Sequence, residues 1–291
     1  MYYLLFAFFR LLARLPLSLL YGVADVLFLI IYYLIGYRKK VVRQNLKNSF
    51  PEKSKRELRS IERRFFHYLC DLIVETIKQL HMNADEVRRR VSYENMDLII
   101  RHHAEGRSVM LMTAHYCNWE WSSAICLHLP DDYKAYPVYQ ELNNAHFNHF
   151  MFKLRGRFGS VNIEKRDLIR EMLNMRNNGV HGLFGMISDQ SPSGRAIRYR
   201  MPFLNQDTPV FLGTEQLARK YDYPVYYMDV RRKKRGYYHV VIVPIAEKPL
   251  ETEEYEITHR FMQIVEERIK NEPEFWLWSH KRWKHSKKVN S

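Results

Sequence analysis

The first 35 residues constrain this chain more than any other stretch. They are almost wholly apolar, interrupted by the charges of Arg10, Arg14 and Asp25. Pro16 divides them, because a proline inside a helix removes an amide donor and clashes with the preceding turn. A helix over residues 15–35 would span about 30 Å, the thickness of a bilayer's hydrocarbon core. Arg38, Lys39, Lys40, Arg43 and Lys47 follow it, against Arg10 and Arg14 before it, so the positive-inside bias places the body of the protein in the cytoplasm. Gly22 and Ala24 offer a small-residue cleavage site, yet the apolar run continues to Ile35, which argues against a removed signal peptide. Residues 1–36 are therefore expected to anchor the chain. They either cross the bilayer or lie in its interface, since charges at mid-bilayer are costly.

Residues 37–90 read as a basic helical region. Ser54 and Glu57 form a capping box, and Leu58, Ile61, Phe65, Leu69, Leu72, Ile73, Ile77 and Leu80 recur at helical spacing, which predicts one long amphipathic helix over 54–80. From residue 91 to 291 short apolar runs alternate with helical stretches. Strands are predicted over 109–113, 135–139, 180–187 and 225–230. Helices are predicted over 119–129, 143–158, 167–177, 209–221 and 253–270. The basic turn 231–236, between 225–230 and 238–245, reads as an antiparallel hairpin. The fold expected is thus α/β, a central mixed sheet flanked by helices.

Lys and Arg outnumber Asp and Glu by 46 to 32, a formal charge of +14, which attracts anionic partners without naming them. No nucleic-acid-binding module accompanies the charge, so no nucleic acid is expected. A high aromatic share of 14% amid Lys and Arg suits a bilayer boundary. Cys70, Cys117 and Cys126 make no disulfide framework and are expected to be reduced.

Chemistry concentrates in Val109-Met-Leu-Met-Thr-Ala-His115-Tyr-Cys-Asn-Trp-Glu120, which sets a histidine just past a strand and a glutamate in the first turn of the next helix. Strand ends in α/β sheets are where ligands gather. An imidazole accepts a proton near neutrality, and a carboxylate on its second nitrogen would fix the tautomer and stabilise the imidazolium. His115 and Glu120 fit a general-base dyad, although a histidine and a glutamate five positions apart, taken alone, are more often a structural or incidental pair. Asn118 and the Asp189-Gln190 pair, at the end of another apolar strand, are cleft-lining candidates; a plain turn is the other reading of Asp189-Gln190. Cys117 offers a thiolate alternative, disfavoured because neighbours in an extended segment point to opposite faces. No His-Glu-x-x-His spacing and no third ligand near His102-His103 call for a metal, and no glycine-rich nucleotide loop is present, so neither metal nor cofactor is expected.

His115 followed by four residues and Glu120 resembles the signature of the lipid A late acyltransferases, the lauroyl and myristoyl transferases of the lysophospholipid acyltransferase superfamily. Further blocks follow in order: Asn45-Leu46, Phe50-Pro51, Arg155-Gly156-Arg157-Phe158-Gly159, Gly185 to Gln190, Met201-Pro202-Phe203, Pro273 to Trp278 and Arg282-Trp283-Lys284. Tyr116 and Cys117 depart from the Phe and Gly common in the family. The resemblance spans nearly the whole chain. It implies a glycerolipid-acyltransferase-like fold in the inner membrane, catalytic body on the cytoplasmic side. It also implies transfer of a fatty acyl group from acyl carrier protein, or coenzyme A, to a hydroxyacyl chain on a lipid A precursor. Arg155 and Arg157 are then candidates for the thioester oxyanion or a substrate phosphate, a salt-bridged surface pair being the bland alternative. Trp276, Lys281, Arg282, Trp283 and Lys284 are candidates for the lipid interface, although Trp276 and Trp278 equally suit the core. Rival functions are acyl transfer to another glycerolipid, glycolipid or aminolipid, and non-catalytic binding of lipid or nucleic acid by a basic tethered protein.

Overall fold

The computed structural model describes residues 2–285; Met1 of the expected anchor and residues 286–291 of the expected catalytic body lie outside it. Helix α1 (Tyr2–Ala13) stops short of Pro16, and α2 (Leu17–Phe28) continues through a π-helical stretch, Leu29–Ile35, to Gly36. Gly36 ends it with φ of 67°, a left-handed conformation that costs glycine nothing. Leu17–Ile35 is the one helix among the described residues long and apolar enough to cross a membrane, with a mean hydropathy of 2.0. One stripe of it, Leu17, Leu20, Ala24, Phe28 and Tyr32, is buried, while Leu19, Val26, Leu34 and Ile35 are exposed on other faces.

The buried stripe packs on a 24-residue helix. After α3 (Lys39–Ser49), helix α4 (Lys55–Lys78) opens with the expected capping box: the Ser54 hydroxyl accepts from the Glu57 amide while the Glu57 carboxylate accepts from the Ser54 amide. Ile61, Phe65 and Val74 of α4 lie in one hydrophobic core with Val109, Trp121 and Trp276, so α4 bridges the apolar N-terminus and the sheet.

The strands are β1 (Val91–Glu94), β2 (Val109–Thr113), β3 (Lys134–Tyr139), β4 (Ile163–Glu164), β5 (Gly182–Ile187), β6 (Tyr199–Phe203), β7 (Gln206–Val210), β8 (Val225–Lys234) and β9 (Tyr237–Ala246). Seven form a mixed sheet ordered β1-β9-β8-β2-β5-β3-β4, and β6 and β7 make a separate antiparallel hairpin. Within the large sheet only β8 and β9 pair antiparallel. Their turn places Gly236 at φ of 75°, and β8 carries the hairpin to Lys234, further into the basic segment than expected. All five residues of β2 are buried, which is why it reads as an unbroken apolar run.

Two predicted helices are corrected. Pro209 and Val210 belong to β7, where they face Arg200 and Tyr199, so the helix expected from 209 begins at Gly213. The stretch after Glu120 is a 3-10 helix, Trp121–His128. β1, β4, β6 and β7 escaped sequence reading because two to five residues are too few to show a period.

The C-terminal segment is clamped from the region after the anchor. Asn45 Nδ2 donates to the carbonyls of Trp278 and His280 at 2.9 and 3.0 Å, and Arg38 donates to the Ser279 carbonyl at 3.0 Å. Asn45→Ala strands the buried Trp278 carbonyl, while the His280 carbonyl keeps the Arg282 amide at 2.9 Å, and should lower stability by about 1–3 kcal/mol, read as a fall in the thermal midpoint in detergent.

Candidate active site

β2 and β5 lie side by side and parallel, in register from Val109 opposite Leu183 to Thr113 opposite Ile187. The pairing runs one bond further, the Ser188 amide donating to the Thr113 carbonyl at 3.1 Å. The residues two beyond each strand end are His115 and Asp189, and they meet: His115 Nδ1 lies 2.7 Å from Asp189 Oδ1. An ionised carboxylate only accepts, so Nδ1 carries a proton, and in the neutral ring Nε2 then holds the lone pair. Asp189 Oδ2 accepts from Trp276 Nε1 at 2.8 Å, so both oxygens of this buried carboxylate are held. Burial pushes its pKa up, but the charge and hydrogen bond of His115 and the bond from Trp276 outweigh that and bring it below the ordinary value. His115 opens onto a cleft of about 2040 Å³ whose wall includes Gln190, Ser191, Lys165 and Lys220.

Glu120 is not the hydrogen-bond partner of the imidazole, which corrects the expected dyad. It accepts from Arg155 Nε at 2.9 Å and Nη2 at 2.6 Å, and from Trp119 Nε1 at 3.0 Å. The reason is local geometry. Beyond His115 the chain turns at Cys117, with φ of 50°, and Trp119 rather than Glu120 packs on the imidazole, edge to face at 5.1 Å. Glu120 falls one residue further on, where Arg155 at the end of the helix Ala145–Arg155 grips it bidentately. Burial opposes its ionisation, but the Arg155 charge and hydrogen bonds prevail, and its pKa lies below the ordinary 4.5.

Arg155 also marks a boundary. Beside it lies a largely apolar inner cavity, lined by Leu111, Ile125, Ala135, Leu183, Gly185 and Met228 together with Glu120. Val138, Tyr139, Arg155 and Ile187 line both this cavity and the outer cleft, so the two adjoin along one wall.

Residues 1–285 match the model of the bacterial lipid A biosynthesis acyltransferase family. The chain belongs to that family. It is similar to a lipid A biosynthesis palmitoleoyltransferase of Escherichia coli (strain K12), 24% identical over 261 residues that cover 85% of this chain and 79% of that protein. A lipid A biosynthesis acyltransferase of Shigella flexneri matches with the same identity and coverage.

The remaining residues of this acyltransferase sort by what they touch. Arg157 donates to the Met82 carbonyl at 2.8 Å and, unlike Arg155, lines neither cavity. Asn118 is buried rather than cleft-lining: it donates to Glu75 at 2.6 Å and accepts from the Trp121 amide at 3.0 Å, bracing the loop. Cys117 is fully buried, and burial drives its thiol well above the ordinary value, which removes the thiolate alternative. Trp276 and Arg282 are buried and not interfacial. Trp283 is half-buried and donates to Thr208 at 2.7 Å, leaving Lys281 and Lys284 exposed.

Sequence reasoning missed Glu75, whose buried carboxylate accepts from Tyr21, Tyr238 and Asn118 at 2.6–2.7 Å. The available signal was Asp71 and Glu75, one turn apart inside the apolar stripe of α4.

The Glu120–Arg155 pair carries an acid-sensitivity test. A carboxylate whose folded pKa is depressed contributes stability above its unfolded pKa, and that contribution is lost as pH falls through the folded value. Glu120→Gln should therefore lower the thermal midpoint at pH 7 and make its decline below about pH 4.5 shallower than in the wild type, measured by thermal unfolding across pH.

Proposed function

We propose that this acyltransferase moves a fatty acyl group from a thioester on acyl carrier protein, or coenzyme A, to the hydroxyl of a hydroxyacyl chain on a lipid A precursor. His115 is the general base, and Asp189 rather than Glu120 orients it. The observation that carries this reading is the in-register meeting of His115 and Asp189 at the mouth of a cleft adjoining an apolar cavity. The names of the similar enzymes support the lipid A acceptor.

In this reading Nε2 takes the acceptor's hydroxyl proton as its oxygen attacks the thioester carbonyl carbon. The carbonyl oxygen gains negative charge, and the carbon–sulfur bond then breaks. The imidazolium returns its proton to the departing thiolate, so an ester and a free thiol are formed from an alcohol and a thioester. Arg155 is the group for the developing oxyanion. Glu120 takes its Nε and Nη2, which fixes the plane of the guanidinium and leaves its remaining donors on the wall shared by cleft and cavity. The inner cavity takes the acyl tail, and Gln190 lines the acceptor side. No metal or cofactor enters these steps.

The apolar outer faces of Leu17–Ile35 and the cations that follow favour an inner-membrane enzyme whose body faces the cytoplasm, where acyl carrier protein is found. Residues 1–36 then serve as anchor, 37–90 as a helical brace and 91–291 as the catalytic body.

The direct test incubates detergent-purified enzyme with acyl carrier protein charged with several chain lengths and a hydroxyacylated lipid A precursor, with mass analysis of the product. His115→Gln should cut the rate about 10²- to 10⁴-fold with the fold intact; a rate within a few-fold of wild type contradicts the base assignment. Ala135→Leu, which fills part of the inner cavity, should shift product toward shorter chains. Each methylene left unaccommodated forfeits about 0.8 kcal/mol, about 4-fold in kcat/KM, and an unchanged chain-length profile would place the tail elsewhere.

A further inference from the structure

The apolar helix Leu17–Ile35 is flanked by the body of the protein along most of its length. Lys78 Nζ donates to the carbonyls of Ala13 and Leu15 at 3.2 and 3.0 Å, and Tyr21 donates to Glu75 at 2.7 Å. Asp25 accepts from Arg235 Nη2 at 2.6 Å and lies 3.0 Å from His67 Nε2. Phe28 meets the His67 ring at 5.3 Å, and Tyr32 meets Phe66 at 5.4 Å. As residue numbers rise along the apolar helix they fall along α4, so the two lie antiparallel and side by side. From Leu17 to Tyr32 that is about 24 Å of helix, most of the hydrocarbon thickness of a bilayer.

A crossing helix in this arrangement would carry the body into the bilayer with it. α4 is fixed to the sheet, because Glu75 also accepts from Tyr238 of β9, and Asp71, Glu75 and Lys78 of α4 are all buried. Asp25 falls near the middle of Leu17–Ile35, and its side chain, with those of His67 and Arg235, is 30–51% exposed. In a spanning pose these groups would face lipid tails at mid-bilayer, where charge is strongly disfavoured. The chain before Pro16 points the same way independently. A spanning helix puts its two ends on opposite sides of the membrane. Yet Phe6 and Phe9 of α1 meet Phe150 at 5.8 and 6.1 Å, and Phe150 belongs to the helix Ala145–Arg155, whose last residue lines the cleft. At the other end Arg38 holds the Ser279 carbonyl at 3.0 Å, so both ends are tied to the one body.

What the body leaves uncovered is an apolar stripe. Leu19, Val26, Leu29, Ile30 and Tyr33 are exposed, on the side of the helix away from the buried Leu20, Ala24 and Phe28. Asp25 lies about 100° around from Val26, at the edge of that stripe. Exposed cations stand at both ends: Arg10 and Arg14 before it, and Lys40, Lys47, Arg59 and Arg63 after it. The last four make no ion pair among the described residues, since the nearby Glu62 is taken by Arg43. Such a surface is complementary to acidic headgroups with acyl tails beneath them. We propose that Leu17–Ile35 does not cross the bilayer but lies in the plane of one leaflet. The stripe from Leu19 to Tyr33 is embedded, the flanking cations rest on acidic headgroups, and the N-terminus stays on the same side as the catalytic body. The proposal rests on residues 1–36 being the anchor and is independent of His115 and its chemistry. It also brings the leaflet towards the cleft: the exposed Phe147 stacks on Phe150 at 5.9 Å, so apolar surface continues from α1 to the helix that ends in Arg155.

Two measurements on the full-length enzyme test it. In the first, a hydrophilic tag bearing one cysteine is added ahead of Met1, and Lys55→Cys, exposed at the start of α4, reports the side of the body. The wild type, whose own thiols are buried or half-buried, sets the background. In sealed membrane vesicles of one orientation, a membrane-impermeant maleimide should label the tag and the Lys55→Cys thiol from the same side. A tag labelled only from the opposite side overturns the proposal. In the second, spin labels are placed through Leu19→Cys, Val26→Cys and Tyr33→Cys, seven positions apart on one face, in vesicles of phosphatidylethanolamine and phosphatidylglycerol. Collisions with oxygen and with a water-soluble nickel chelate should give three equal, shallow depths. A Val26→Cys label at the bilayer centre, with the other two near opposite surfaces, overturns the proposal. So do labels shielded from both reagents, which would mean that a second copy of the chain covers the stripe. An enzyme that does not float with the vesicles removes the anchor reading itself, whereas an oppositely labelled tag removes the in-plane pose alone.

Discussion

The parallel pairing of β2 with β5 is the constraint on which the site depends. Because Thr113 lies opposite Ile187, the next two residues of each chain leave the sheet together, and residues 74 positions apart in sequence come to share a 2.7 Å hydrogen bond. A slip of one residue would turn His115 and Asp189 to opposite faces. The register is fixed by a central strand buried on both faces, and then by the C-terminal segment. There the Cys117 amide donates to the Phe275 carbonyl and the Leu277 amide to the His115 carbonyl, at 3.0 and 3.1 Å. Trp276, between these two bonds, reaches Asp189 with its indole N–H.

Two carboxylates stand near His115, and their surroundings divide the labour. Glu120 is clasped by Arg155, so its charge is spent on fixing a guanidinium. Asp189 receives only neutral N–H groups or the imidazole itself, so its field falls on the ring. In a site of low polarity such assignments carry more weight than sequence proximity. The arrangement also links site to anchor. Glu75 joins Tyr21 of α2, Tyr238 of β9 and Asn118 of the loop after β2 through one carboxylate, so the apolar helix and the loop share a single buried support.

Much of this is legible in the sequence. Pro16, the Ser54–Glu57 capping box and the apolar run Val109–Thr113 each act through neighbours close in sequence, and each appears where it was expected. His115, Asp189 and Gln190 could be selected as cleft candidates from their place at strand ends. Their partners could not, because partnership depends on strand order and register, which no local spacing encodes. Glu120 is the mate that spacing suggests for His115, five residues away, yet the turn at Cys117 gives the contact to Trp119. Arg282 reads as a lipid-facing cation because arginine is seldom buried; only the folded chain reveals it enclosed.

The central claim is that Asp189, and not Glu120, holds the imidazole of His115. Proton–nitrogen spectra of the histidine-labelled enzyme in detergent address it most directly, through the strongly deshielded Nδ1 proton of a histidine bound to a carboxylate. The account predicts that this resonance survives Glu120→Gln and disappears in Asp189→Asn; loss in Glu120→Gln with survival in Asp189→Asn would contradict it.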